Sequence, residues 1–126
     1  MKSPIEVMLV EDNREYREVI HLALQRDEGF QLTSEYGTAE IALRSFDAKS
    51  IPRIPDIILL DLHLPGMSGL EALPRFVDAL PETKIMVLTQ SDSKRDVLRA
   101  IALGAAGYLL KSSTVAQIKE GMRTVI

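Results

Sequence analysis

A chain of 126 residues, 46% of them hydrophobic, is long enough to fill one core and leaves no room for a second domain. It has no Cys, which excludes a disulfide scaffold and thiolate metal sites, and only 5% aromatic residues with no Trp, so Leu, Ile, Val, Ala and Met must build the core. A net charge of -3 argues against a broad phosphate-binding surface, and the longest apolar runs fall far short of the about 20 residues a membrane span needs. No N-terminal stretch joins a basic region, a long apolar run and a small-residue cleavage site, so a cytoplasmic location is expected.

Short apolar runs alternate with segments of helical period along the whole chain, the pattern of repeated βα units around a parallel sheet. Strands are expected at 5–10, 30–35, 57–60, 85–88 and 107–110. Between the first two, Tyr16, Val19, Ile20 and Ala23 share one helical face; Ala39, Ala42, Leu43 and Phe46 do so in the next gap. Leu70, Leu73, Phe76, Val77 and Leu80 mark a third helix, Val97, Leu98, Ile101 and Ala102 a fourth, and Val115, Ile118, Met122 and Val125 a fifth. The order reads (βα)5. Pro74 is discordant, because inside a helix it removes a hydrogen bond, so the third helix is expected to kink or to begin there. Thr114 with Gln117 resembles a capping box, and Gly104 suits the left-handed stop of the fourth helix. The last helix has no stop signal before Ile126, a sign of a chain cut in mid-helix or before a linker.

The polar residues that matter follow the strands. Glu11 and Asp12 come after the first, Asp61 after the third, Thr89 after the fourth and Lys111 after the fifth. In a parallel sheet these ends share one edge, and open α/β sheets bind ligands there, where the strand order reverses. Three carboxylates drawn together repel by ~4 kcal/mol per pair at 4 Å and an effective dielectric of 20, so they call for a cation. Oxygen ligands suit Mg²⁺, which binds one or two carboxylates and completes its octahedron with water and phosphate oxygens. Lys111 adds a compact positive charge, and a metal, an ammonium and a Thr hydroxyl around one carboxylate would stabilise a phosphoryl group in transfer. Asp61 is the natural nucleophile. Singly, each residue has a plainer reading: Asp12 or Asn13 fits the cap of the first helix, Asp61 could open the Leu64-Pro65-Gly66 turn, Thr89 is an ordinary strand residue and Lys111 a solvated strand end. Coincidence at four independent strand ends is what favours the joint reading.

The set Glu11-Asp12, Asp61-Leu62-His63-Leu64-Pro65-Gly66-Met67-Ser68-Gly69, Thr89 and Gly107-Tyr108-Leu109-Leu110-Lys111 resembles the response-regulator receiver domain over residues 7–122. The Asp61 segment and the run from Gly104 to Lys111 further resemble the NarL/LuxR-type subfamily. The resemblance implies a flavodoxin-like (βα)5 three-layer sandwich with a five-stranded parallel sheet in the order 2-1-3-4-5. It implies that Asp61 accepts phosphate from a sensor histidine kinase, while Asp12, Asp61 and the backbone carbonyl of His63 bind Mg²⁺ or Mn²⁺ and Glu11 helps through water. Lys111 would pair with Asp61 and then with a phosphoryl oxygen. Thr89 would turn inward to the phosphoryl group and Tyr108 would follow from an outward to an inward rotamer, altering the surface of the fourth helix, fifth strand and fifth helix. The expected role is a switch, not an enzyme, able to form a homodimer on activation and to reach DNA only through a C-terminal helix-turn-helix domain that the fifteen residues after Lys111 cannot supply.

Ser112 follows Lys111 where many such domains carry Pro, and Gln90 follows Thr89 where a small residue is frequent, which bears on how water or donor enters. His63 could overhang the phosphorylation site, whereas His21 on the first helix reads as surface. Two rivals use similar residues. A haloacid-dehalogenase-like phosphohydrolase resembles D-x-D, but His63 stands where its second carboxylate belongs. A receiver relic that only mediates protein contacts is opposed by the intact set from Glu11 to Lys111. A flavin-binding module is opposed by Glu11 and Asp12, which would repel a phosphate, and neither nucleotide-binding glycine motif occurs.

Overall fold

The computed structural model describes residues 3–47 and 53–126. Five strands, β1 (Ile5–Val10), β2 (Phe30–Tyr36), β3 (Ile57–Leu60), β4 (Lys84–Thr89) and β5 (Gly107–Leu110), alternate with α1 (Arg14–Gln25), α2 (Ala39–Asp47), α3 (Gly69–Ala79), α4 (Lys94–Ala102) and α5 (Val115–Val125). Every pairing is parallel and the sheet order is β2-β1-β3-β4-β5, the expected flavodoxin-like arrangement. Two strands run longer than their apolar runs: β2 takes in Tyr36, and β4 starts at Lys84 and ends with Thr89 inside the ladder, not beyond it.

Alternating side-chain direction divides the core in two. Val7 and Leu9 of β1 face Ile20 and Leu24 of α1 and Ile118 and Met122 of α5, whereas Met8 and Val10 face the layer of α2, α3 and α4 around Ala42, Phe76 and Ala100. All of β3 is inaccessible to solvent, as befits the middle strand of a sheet covered on both faces. The β1–β2 register slips between Val7 and Met8, and Thr33, the extra residue, returns its hydroxyl to the Val7 carbonyl at 3.2 Å.

Helix ends follow local chemistry. Thr114 and Gln117 form the expected capping box on α5, and Gly104, at φ +112°, closes α4 in the left-handed region. The third helix neither begins at Pro74 nor needs to: a second capping box, Ser68 with Glu71, starts it at Gly69 and it continues through the proline. Helical packing of Leu73 and Phe76, both fully buried, outweighs the one lost hydrogen bond. Among the described residues no helix is long and apolar enough to cross a membrane.

Candidate phosphoacceptor site

The strand order reverses between β1 and β3, and the polar residues gather at the carboxyl ends beside that point. Backbone bonds across the edge fix their positions: Asp61 N–H donates to Val10 O at 3.1 Å, Glu11 N–H to Tyr36 O at 2.9 Å, and Lys111 N–H to Thr89 O at 2.8 Å. Asp12, Asn13, Asp61, His63, Gln90 and Lys111 line a cleft of about 190 Å³ there.

Asn13 caps α1, its Oδ1 accepting the Tyr16 N–H at 2.9 Å. That choice leaves the exposed carboxylate of Asp12 without a hydrogen bond or ion pair among the described residues, available to a ligand. Glu11 and Asp61, by contrast, are only 1% and 4% exposed. Lys111 Nζ lies 2.6 Å from Glu11 Oε1 and 3.0 Å from Asp61 Oδ2, with its charge 4.9 Å above the Tyr16 ring. Asn13 N–H occupies Glu11 Oε2 at 2.9 Å, and the Arg17 guanidinium donates to the Glu11 carbonyl at 2.8 Å. Burial pushes the Glu11 carboxyl above its ordinary value, against the downward pull of Lys111 and the Asn13 amide. Burial would lower the Lys111 ammonium, but its bonds to Glu11 and Asp61 prevail and hold it above its ordinary value.

Glu11, Asp12 and Asp61 each offer a carboxylate oxygen within 4.8 Å of the others. An all-oxygen donor set, three carboxylates against one ammonium, fits a hard divalent cation that would offset the surplus negative charge. Both oxygens of Glu11 and both of Asp61 already have partners, Lys111 with the Asn13 N–H and Lys111 with the His63 N–H, so Asp12 is the member of the trio whose carboxylate is unengaged among the described residues. Asp61 Oδ1 also accepts the His63 N–H at 3.2 Å, which folds the chain so that position 63 stands at the cleft. Gly69 is needed behind it, since a Cβ there would collide with the Asp61 carbonyl.

Thr89 is fully buried and its hydroxyl finds no partner among the described residues. A buried hydroxyl left so costs about 1–3 kcal/mol, a cost that an arriving phosphoryl oxygen would remove. Tyr108 is half-buried and donates its hydroxyl to the Ser91 carbonyl at 2.8 Å, while Ser91 Oγ donates to Asp96 Oδ2 at 2.6 Å. The expected residues therefore meet at one edge, apart from Tyr108, which is tied to the β4–α4 loop beside it. Sequence reasoning missed the Glu11–Lys111 pair, the Tyr16 ring over Lys111 and the Arg17 bond. Tyr16 and Arg17 lie on the first turns after the acidic pair, a signal that α1 faces the site.

An acidic trio, a paired lysine and an orphaned threonine hydroxyl on this sheet define a phosphotransfer switch whose chemistry acts on the domain itself. The family model for the response regulator receiver domain matches residues 7–123, and the chain belongs to that family, in its NarL/LuxR-type branch. It is 36% identical over 121 residues to the nitrate/nitrite response regulator protein NarP of Escherichia coli (strain K12), covering 96% of this chain and 54% of that protein. It is 35% identical to the uncharacterized transcriptional regulatory protein YxjL of Bacillus subtilis (strain 168), covering 97% of this chain and 54% of that one. The chain thus spans about half the length of the curated relatives it matches. Among solved structures, the signal receiver domain of the putative response regulator NarL from Mycobacterium tuberculosis superposes with a TM-score of 0.85 at 27% identity, covering 98% of both chains. A LuxR family response regulator from Aurantimonas sp. SI85-9A1 gives 0.86 at 29%, covering 98% of this chain and 85% of that one.

Proposed function

We propose that Asp61 is the phosphoacceptor, that Mg²⁺ or Mn²⁺ held by Asp12, Asp61 and the His63 carbonyl assists, and that the donor is a phosphohistidine on a sensor histidine kinase. The observation that carries this reading is the buried Asp61 carboxylate bonded to Lys111, whose backbone N–H in turn reaches the carbonyl of Thr89, the residue with the orphaned hydroxyl. An Asp61 oxygen bonds to phosphorus as the P–N bond of the donor breaks; the imidazole leaves with the electron pair and takes up a proton, and Asp61 becomes an acyl phosphate. The metal, when bound, screens the carboxylates from the incoming phosphoryl oxygens and neutralises charge on them. Lys111, held in reach by Glu11, donates to a second phosphoryl oxygen, and Thr89 donates to a third.

Phosphorylation brings about -1.5 to -2 charges and three acceptor oxygens. Drawing Thr89 toward them moves the loop that holds Ser91, and Tyr108, bonded to the Ser91 carbonyl, moves with it. The surface of α4, β5 and α5 then changes, with dimerisation and control of transcription through a DNA-binding domain outside these residues as the proposed output. The relatives described as response regulators and transcriptional regulatory proteins support that output. Intact-mass measurement after incubation with acetyl phosphate tests the reading. One phosphoryl group should appear with Mg²⁺ and none with chelator or in Asp61→Asn; equal labelling of Asp61→Asn would refute it.

A further inference from the structure

Glu40, in the first turn of α2, does not line the phosphoacceptor cleft, yet its carboxylate is committed to the loop that follows Asp61. Oε2 accepts the Met67 N–H at 3.0 Å, and that bond is the chief reason the carboxyl titrates below its ordinary value. Gly66 reports the same closeness independently. It adopts φ +72°, where only glycine sits without strain, and a Cβ at that position would collide with Glu40 Oε2.

Leu62 and Leu64 anchor the loop by burial in the core, and its remaining hydrogen bonds are local. Gly69 N–H reaches Leu62 O at 2.9 Å and His63 N–H reaches Asp61, so both ends are tied to the phosphoacceptor strand. Among the described residues, Glu40 supplies the one side-chain hydrogen bond to residues 62–67 from outside the β3–α3 segment. Beside the Met67 bond, Glu40's own backbone N–H is the second influence that lowers the carboxyl.

We propose that Glu40 is a positioning residue of the phosphoacceptor site. By holding Met67 against α2 it sets the path of residues 62–67, and so the distance at which the His63 carbonyl faces Asp12 and Asp61. The inference rests on reading that carbonyl as a metal ligand. A small cation demands near-ideal octahedral geometry and a larger one tolerates looser sites, so the latch should favour Mg²⁺ over Ca²⁺. Loss of an outer partner of a metal ligand typically costs 10–100-fold in affinity.

The test titrates Mg²⁺ and Ca²⁺ calorimetrically into the full chain, Glu40→Ala, Glu40→Gln and Gly66→Ala, with amide exchange at Met67 read alongside. Glu40→Ala is expected to weaken Mg²⁺ binding about tenfold and Ca²⁺ binding less, with faster exchange at Met67. Glu40→Gln keeps an acceptor oxygen and should restore most of the Mg²⁺ affinity, and Gly66→Ala, which displaces the carboxylate from the other side, should weaken it again. Unchanged Mg²⁺ affinity in a folded Glu40→Ala, an equal loss for both ions, or unaltered Met67 exchange would each overturn the inference. If Glu40→Ala does not fold, Glu40→Leu, which keeps the bulk and removes the acceptor, carries the same comparison. Failure of the unsubstituted chain to bind Mg²⁺ would overturn the metal reading itself, an outcome distinct from an intact wild-type affinity that Glu40 does not influence.

Discussion

Lys111 Nζ approaches Glu11 Oε1 to 2.6 Å, closer than the 3.0 Å that separates it from Asp61. The cation of the site is therefore anchored by a carboxylate other than the proposed phosphoacceptor, and it would keep a partner on modification of Asp61. Removing it would leave two buried carboxylates facing each other. Lys111→Met is expected to lower the stability of the metal-free chain by about 3 kcal/mol, with part recovered on adding Mg²⁺. Urea unfolding with and without Mg²⁺ measures this, and an unchanged midpoint in chelator would contradict it.

Asp12 presents the opposite case. Its carboxylate is exposed and close to Glu11 and Asp61, so in the absence of metal it contributes repulsion. Asp12→Asn should stabilise the metal-free chain by about 1 kcal/mol, the value for two unit charges 4 Å apart in a water-like dielectric. The same substitution should abolish the rise in Tm that Mg²⁺ produces, since ligand linkage requires binding to the folded state. Thermal unfolding in Mg²⁺ and in chelator checks both halves.

Gln90 is exposed and lines the cleft together with Asp61 and Lys111. Truncation to Ala opens the path for water, and the acyl phosphate is expected to hydrolyse several-fold faster with little change in unfolding midpoint. The decay of the phosphorylated mass with time gives the rate; equal lifetimes would show that Gln90 does not gate the site.

Asp27 ties the α1–β2 turn to α5 through Lys119 at 3.0 Å. Its carboxyl titrates below its ordinary value of 3.8, first because it accepts the Gly29 N–H and then because of Lys119. A depressed folded value means the stabilisation is present above the ordinary value and is lost as pH falls through the depressed one. The stability difference between the unsubstituted chain and Asp27→Asn should be constant at neutral pH and shrink at acid pH. Urea unfolding across that range tests the sign, and a difference that grows toward acid would reverse it.

Much of the site was legible because a parallel sheet converts order in the chain into place on an edge. Glu11, Asp12, Asp61, Thr89 and Lys111 each sit at a strand end, and strand ends are bounded by short Ile, Val and Leu runs. Depth was not legible. Which of Glu11 and Asp61 takes the closer bond to Lys111 depends on how far each side chain enters the crevice, and Asn13 over Asp12 as the cap depends on the turn leaving β1. Pro74 misled as a possible helix start because one residue's cost was weighed without its helix, although Ser68-Gly69-Leu70-Glu71 carries a capping-box signature that marks the true start. The contact of Glu40 with Met67 joins residues far apart in sequence, through packing of α2 on the β3–α3 loop that no local pattern encodes.

The most direct measurement locates the phosphoryl group by chemistry. Borohydride reduces an aspartyl phosphate to homoserine, which peptide mass spectrometry places in the chain. After phosphorylation with acetyl phosphate and Mg²⁺, homoserine at position 61 is the predicted result. Homoserine at position 12 instead, or a phosphoryl group that resists reduction and maps to His63, would contradict the assignment of Asp61 as the acceptor.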